Sequence, residues 1–290
     1  MGMNGKTKRI AFLLAAFFVI RFAAGVPVSG APAFGTEEAS GRRRDLTVVA
    51  DGVPYPGEVR LTGGTAWVSL REFALFADEE AEVLWDGESR AASVRTGCLT
   101  FRAAEGERIV SANGRLLWCP GPTYIDGSVL YVPLRQIGAA FGYACRYEED
   151  GPAAVLTRVS DAIAAPGREE EEDLFWLARI IEAEAGAEPF LGKLAVGAVV
   201  VNRVASDEFP DTVRGVIFDT DNGVQFTPAE NGSVWRDPGE DSIRAARITL
   251  DNPPLWEDVA YFLNPAKAVS LWIPQTREYV FSVGEHEFYR

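Results

Sequence analysis

Three glutamates stand within the segment ARIIEAEAGAEPF (residues 178–190): Glu182, Glu184 and Glu188. Carboxyl groups on an otherwise apolar stretch serve either as solvated surface charge or as a working acid carried into a cleft. On a helix at ~100° per residue, Glu184 lies ~200° from Glu182, so Glu182 can face water while Glu184 points inward. Glu184 falls in the last turn of the helical pattern. The negative end of the helix dipole and partial burial both disfavour ionisation there. A carboxyl kept protonated near neutrality is what general-acid cleavage of a glycosidic bond requires. Spacing alone leaves this reading of Glu184 open beside that of a surface glutamate on a helix end. Glu188 lies ~40° from Glu184 in projection. Pro189 ends the helix near Ala187, so Glu188 is a candidate to orient the loop or cap the next helix as well as to act directly.

Counting residue types removes other chemistries. A serine or cysteine triad needs a histidine base, and His286, four residues from the end, is the only histidine. Zinc and copper sites use clustered His or Cys, and the second half of the chain has no Cys, so neither a metal nor another cofactor is expected. GAEPFLGKL (186–194) departs from a phosphate loop by one residue and by Leu194 in place of the hydroxyl. Over residues 169–290 there are 23 Asp and Glu against 10 Lys and Arg, a net of −13 within a chain of net charge −14. Such a domain repels phosphate backbones, which argues against nucleic acid as a partner.

The elements that must position these residues fall into two halves of a 290-residue chain. The fold class expected is α+β. In the first half TAWVSLREFALFADEEAEVLWD (65–86) repeats as VLYVPLRQIGAAFGYACRYEED (129–150), each copy reading strand, short helix, strand. Ser69 and Glu72 make a capping box, and Pro133 suits a first helical turn. Asp51-Gly52, Asn113-Gly114 and Asp126-Gly127 carry short-hairpin signals. A β-rich domain over 45–158 follows, then a linker over 159–173 whose acidic run suits a helix start. In the domain over 174–290, Leu174, Leu177, Ile181 and Ala185 recur at helical spacing. A second helix, 190–204, is apolar nearly all round and therefore central. A third, amphipathic helix spans 241–252. Residues 1–31, with Lys6, Lys8 and Arg9 before IAFLLAAFFVI, have the pattern of an export signal, with an uncleaved anchor as the alternative. Export permits a disulfide, beside the equally open reading of the three cysteines as small buried apolar residues; if a bridge forms, Cys98–Cys119 is the pairing expected across the Asn113-Gly114 hairpin, ahead of either pairing with Cys145.

Two resemblances add to this. The repeat copies VSLREFALFADEEAEVLWD and VPLRQIGAAFGYACRYEED resemble the small domain named after the copper amine oxidase N-terminus, which implies a binding or spacing module; a single histidine leaves no copper chemistry. The run LARIIEAEAGAEPFLGKLAVGAVVVNRV, with FPDTVRGVIF, QFTPAENGS, YFLNPAKAVSLWI and VGEHEFY, is similar to the SleB-type cell wall hydrolases, which include spore cortex-lytic enzymes. That resemblance implies a lysozyme-like, lytic-transglycosylase-type fold, peptidoglycan glycan strands as substrate and Glu184 as catalytic acid; Glu182 departs from the family pattern by adding a charge near the site. It also implies a place in the cell wall or spore cortex, at the outer face of the inner membrane, and a germination partner protein as a further candidate. Gln225 and Phe226 correspond to the family's cleft motif, where Gln225 would hold an acetamido group and Phe226 pack on a sugar face. Tyr261, Asn264 and Trp272 would line the opposite wall, and His286 matches a further position; each is equally open to core packing. A non-catalytic wall-binding protein of the same fold is the alternative function.

Overall fold

The computed structural model describes residues 46–148, 153–220, 225–268 and 270–290. The expected export signal over 1–31 lies outside them. The described chain divides into two compact units, one ending at Pro166 and the other beginning at Gly167.

The first unit is built on strands β1 (Thr47–Ala50), β2 (Val53–Pro54), β3 (Val59–Thr62) and β4 (Thr65–Ser69), helix α1 (Leu70–Ala77), strands β5 (Glu82–Asp86), β6 (Ala91–Arg95), β7 (Thr100–Ala104), β8 (Ile109–Ala112), β9 (Arg115–Trp118), β10 (Tyr124–Asp126) and β11 (Val129–Pro133), helix α2 (Leu134–Ala140), and strands β12 (Tyr143–Glu148) and β13 (Ala153–Arg158). Three sheets result, ordered β12-β13-β1-β2, β10-β11-β4-β3 and β5-β6-β7-β8-β9. The sequence repeat appears as β4-α1-β5 and β11-α2-β12. Its copies meet directly: β4 and β11 pair antiparallel with Val68 opposite Val132, and with Ser69 opposite Tyr131 and Trp67 opposite Pro133. The equivalent residues Val68 and Val132 thus face one another at the centre of a locally two-fold pairing. Val68, Val132, Leu70, Leu134, Phe73 and Ile137 of both copies fill one core. Ser69 accepts the Glu72 amide at the start of α1. Asp51-Gly52 and Asn113-Gly114 both take positive φ at both positions, as two-residue hairpin loops with matching strand twist require.

The structure overturns the expected disulfide. All three cysteines are free thiols. The Cys119 amide donates to Arg108 O, whereas the Cys98 carbonyl accepts from Asn113 Nδ2. Arg108 and Asn113 flank opposite ends of β8, about 17 Å apart at ~3.4 Å per residue, and a bridge needs Cα atoms within about 7 Å. The linker expectation also changes. Asn113 Nδ2 holds Ile163 O and Arg115 Nε holds Ala164 O, so this stretch belongs to the β-rich unit, while residues from Arg168 onward are already helical.

The second unit comprises α3 (Arg168–Ala185), α4 (Phe190–Ala205), α5 (Val213–Ile217), α6 (Thr227–Asn231), a 3-10 turn (Ser233–Trp235), α7 (Glu240–Asp251), β14 (Tyr261–Leu263), α8 (Trp272–Thr276), β15 (Tyr279–Val283) and β16 (His286–Tyr289). Glu169, Glu170 and Glu171 occupy the first turn of α3, where carboxylates are favoured, and Glu170 accepts the Gly167 amide. The α3 face bearing Leu177, Ile180 and Ile181 is buried, and α3, α4 and α7 pack on one another. Helix α4 is central, with Leu194, Ala195, Val196, Ala198, Val199 and Val200 all buried. The remaining strands form an antiparallel sheet ordered β14-β16-β15. Gly197 sets the closeness of the helices: a Cβ there would lie 2.7 Å from Thr249 Oγ1 and 3.1 Å from Ile181 Cδ1. Gly197→Leu is expected to lower unfolding stability by about 1–3 kcal/mol through overpacking, measured by urea unfolding followed at the helical circular-dichroism signal.

Candidate active site

Helix α3 delivers two carboxyl groups into different surroundings. Glu182 Oε2 accepts from Ser242 Oγ (2.6 Å) and from the Gly239 amide (3.1 Å), at the start of α7. The Ser242 hydroxyl, helped by the Gly239 amide, holds its pKa below the usual carboxylate range. The expectation of a solvated Glu182 is therefore corrected: this residue ties α3 to α7. Glu184, half-buried, is pushed up to about 7 by burial, against the opposing charge of Arg203. The helix dipole contributes less than the sequence suggested. Lys193 Nζ donates to the carbonyls of Ala185 (2.8 Å), Gly186 (2.6 Å) and Glu188 (3.1 Å), so an ammonium sits on the negative end of the helix.

Glu184 opens onto a cavity of about 1790 Å³. That exceeds the usual space for a small ligand, ~300–1,000 Å³, and suits an extended chain. Of the residues singled out from sequence, Glu184, Glu188, Gln225, Tyr261, Asn264, Trp272 and His286 line it. Phe226 does not, and its expected role against a sugar face is corrected. It is 1% exposed and packs against Phe262 at 6.3 Å, as burial of an aromatic ring before the short helix α6 demands. On the far wall Trp272 is 50% exposed and meets Tyr261 edge-on at 6.0 Å, with the Arg277 guanidinium 4.2 Å over the Tyr261 ring. Asn264 donates to Glu285 Oε2 (2.9 Å) and accepts the Ala266 amide, so it shapes the turn after β14.

Glu188 orients the β15–β16 hairpin. Its Oε2 accepts the Glu285 amide (3.0 Å), and its Oε1 lies 3.4 Å from His286 Nδ1. Only glycine fits at the hairpin tip: Gly284 has φ +58° and a Cβ there would lie 1.7 Å from Glu188 Oε2. Burial lowers the His286 pKa, with Glu188 acting in the opposite direction. Sequence reasoning missed Lys193, Arg203 and Arg277. A signal existed for the first two, since cations inside the apolar run FLGKLAVGAVVVNRVA must find partners where they are buried.

The C-terminal half carries a cell wall hydrolase domain: residues 187–289 match the Cell Wall Hydrolase family, and residues 51–156 match the copper amine oxidase N-terminal domain. Glu184 stands just before the first of these matched segments. The spore cortex-lytic enzyme of Bacillus subtilis is 35% identical over 133 residues, covering 45% of this chain and 42% of the relative. That of Halalkalibacterium halodurans is 33% identical over 130 residues, covering 45% and 38%. The chain thus spans less than half the length of these curated relatives. Among solved structures, the catalytic domain of the germination-specific lytic transglycosylase SleB from Bacillus anthracis is 33% identical, covers 43% of this chain and 97% of that one, and has a TM-score of 0.37.

The raised pKa has a consequence for stability. An ordinary carboxyl ionises near 4.5, whereas Glu184 in the fold does so near 7. Between these values the folded state holds a proton that the unfolded chain has lost, so this group's contribution falls as pH rises, and the loss is complete above pH 7. Glu184→Gln should leave Tm nearly unchanged at pH 4.5. At pH 8 it should stabilise by about 1–2 kcal/mol, discounted for partial exposure, as read by differential scanning calorimetry.

Proposed function

We propose that this protein is an exported peptidoglycan-cleaving glycosidase whose helical unit has a lysozyme-like fold and acts as a lytic transglycosylase on cell wall or spore cortex. The single observation carrying this reading is Glu184: one half-buried carboxyl, titrating near 7, on the wall of a cavity wide enough for a glycan strand. A general acid poised near the working pH is what cleavage needs.

The other carboxylates favour a mechanism with one acid. A retaining glycosidase uses a second carboxylate as nucleophile. Glu182, Glu188 and Glu285 on the cavity wall accept hydrogen bonds from the protein itself, and Glu208 is exposed. In the proposed reaction Glu184 gives its proton to the oxygen between N-acetylmuramic acid and N-acetylglucosamine. The bond from that oxygen to the muramic anomeric carbon breaks, and the glucosamine leaves as an alcohol. The muramic 6-hydroxyl then bonds to the anomeric carbon, and its proton passes to the Glu184 carboxylate, which regenerates the acid. Attack from within the same sugar gains from proximity, and no water is activated. Gln225, Tyr261 and Trp272 are the groups proposed to hold the strand.

Glu184→Gln, nearly isosteric, should bind peptidoglycan but lose activity by at least about 100-fold. Wild-type kcat/KM should fall above about pH 7 as Glu184 ionises. Mass spectrometry of the muropeptides should show 1,6-anhydromuramic ends. Reducing ends would replace the transglycosylase assignment with a hydrolase, and activity retained by Glu184→Gln would remove the residue's role. The β-rich unit is proposed to supply affinity for the wall, since a catalytic half of net charge −13 is repelled by an anionic polymer. Deleting residues 45–158 should weaken cosedimentation with peptidoglycan while sparing cleavage of soluble fragments.

A further inference from the structure

Arg203 is a buried cation beside the cavity that the reaction above leaves without a task. It is 5% exposed, on the helix that packs behind α3. Its Nε donates to Ala260 O (2.7 Å) and its Nη1 to Gln225 Oε1 (3.3 Å). Its guanidinium lies 4.9 Å from the ring centre of Phe209, 5.2 Å from Phe226 and 5.5 Å from Tyr261. Burying a guanidinium is costly unless it is bonded and balanced by charge; Arg203 and Glu184 line the same cavity from helices packed on one another, and Tyr261, Asp219 and Glu184 are the groups whose charge favours the guanidinium.

We propose that Arg203 is a positioning residue for Glu184, whose fixed charge stabilises the carboxylate formed when Glu184 has given up its proton and so lets one side chain serve as acid and then as base. The inference rests on Glu184 being the proton donor. Its logic is a balance. The group must be protonated at rest and ionised after the first bond breaks. Burial favours the first state, and a cation held rigidly nearby favours the second. Other cations on the cavity wall are differently placed: Lys267 bonds Glu285, and Arg277 lies over Tyr261 and Trp272. Across the cavity Glu188 and His286 face each other. Lys193, at the end of α3, is spent on backbone carbonyls. Arg203 also bonds both walls, Gln225 on one side and the chain entering β14 on the other.

The coupling is measurable without substrate. In the full-length protein, the Arg203 Nε resonance in 15N NMR should shift with pH through a midpoint near 7, that of Glu184. The same resonance should lose that inflection in Glu184→Gln. An Arg203 signal that does not titrate, or whose inflection survives Glu184→Gln, overturns the proposal. Activity gives a second reading. Arg203→Met should move the alkaline limb of kcat/KM upward by about one pH unit and lower kcat more than it raises KM, whereas Arg203→Lys should restore the limb. A folded Arg203→Met protein with an unmoved limb also overturns it. If Arg203→Met does not fold, the titration on the wild type decides. Should the protein fail to cleave peptidoglycan, the titration still reports the coupling, so failure of the activity and failure of this inference are distinguishable.

Discussion

Lys193 makes it possible for α3 to end beside the cavity. A helix terminus leaves its last carbonyls unpaired, and those near the edge of a cleft must be satisfied without filling it. The ammonium of Lys193 reaches from the first turns of α4 and takes the carbonyls of Ala185, Gly186 and Glu188 together. Three donors on one flexible stem match three acceptors at and just beyond the end of the helix. That contact fixes where α3 stops, and so where Glu184 stands. It also fixes the loop to Pro189, and through it the side chain of Glu188, which accepts the amide of Glu285 in the β15–β16 hairpin. A single buried cation thereby sets the end of one helix, the start of the next and the approach of the sheet.

The opposite end of α4 performs the corresponding service for the far wall. Asn202 Nδ2 donates to Trp256 O and Val259 O, and Arg203 Nε to Ala260 O, so adjacent side chains staple the chain immediately before β14. Strand β14 carries Tyr261, and the turn after it carries Asn264. Packing enforces the spacing between these two ends. Gly197 lies between them, where Thr249 and Ile181 leave no room for a side chain. The polar residues of α4 thus position the cavity, and its apolar residues hold the helices at the distance the cavity needs.

How far this was legible in the sequence depended on whether a signal was local. The 3.6-residue period of α3 and α4, the duplicated strand–helix–strand copies and the Asp51-Gly52 and Asn113-Gly114 turns are local, and these elements formed within a few residues of where the pattern placed them, whereas the loop after β10 is Gly127-Ser128 because Asp126 pairs with Val129. The α3 end was read near Ala187 and falls at Ala185. Glu184 and six neighbours of the cavity were named from residue type and resemblance, but Phe226 was misplaced because adjacent residues before α6 take opposite sides, Gln225 to the cavity and Phe226 to the core. The Cys98–Cys119 pairing failed because proximity in a hairpin was judged without strand register, and register separates the two by the length of β8. Lys193 and Arg203 were visible as cations in an apolar run, yet their partners are backbone carbonyls and, for Arg203, also Gln225, brought in by tertiary packing that no spacing rule supplies.

The contrast between Glu182 and Glu184 shows how one helix turn assigns two roles to one residue type. Both sit on α3 and both belong to the cavity wall, so neither position nor composition separates them. Their partners do. Glu182 receives a hydroxyl and an amide from the start of α7, bonds made to the charged form, and its pKa falls. Glu184 loses solvent without gaining a comparable donor among the described residues, and its pKa rises to about 7. A carboxylate stabilised by fixed donors is a poor proton source, because giving it a proton would break the bonds that hold it. A carboxyl kept neutral by burial, with a cation at hand for the ionised form, can release its proton at little reorganisation. Environment, more than identity, therefore suits Glu184 to the proposed role of acid and makes Glu182 the anchor that ties its helix to α7.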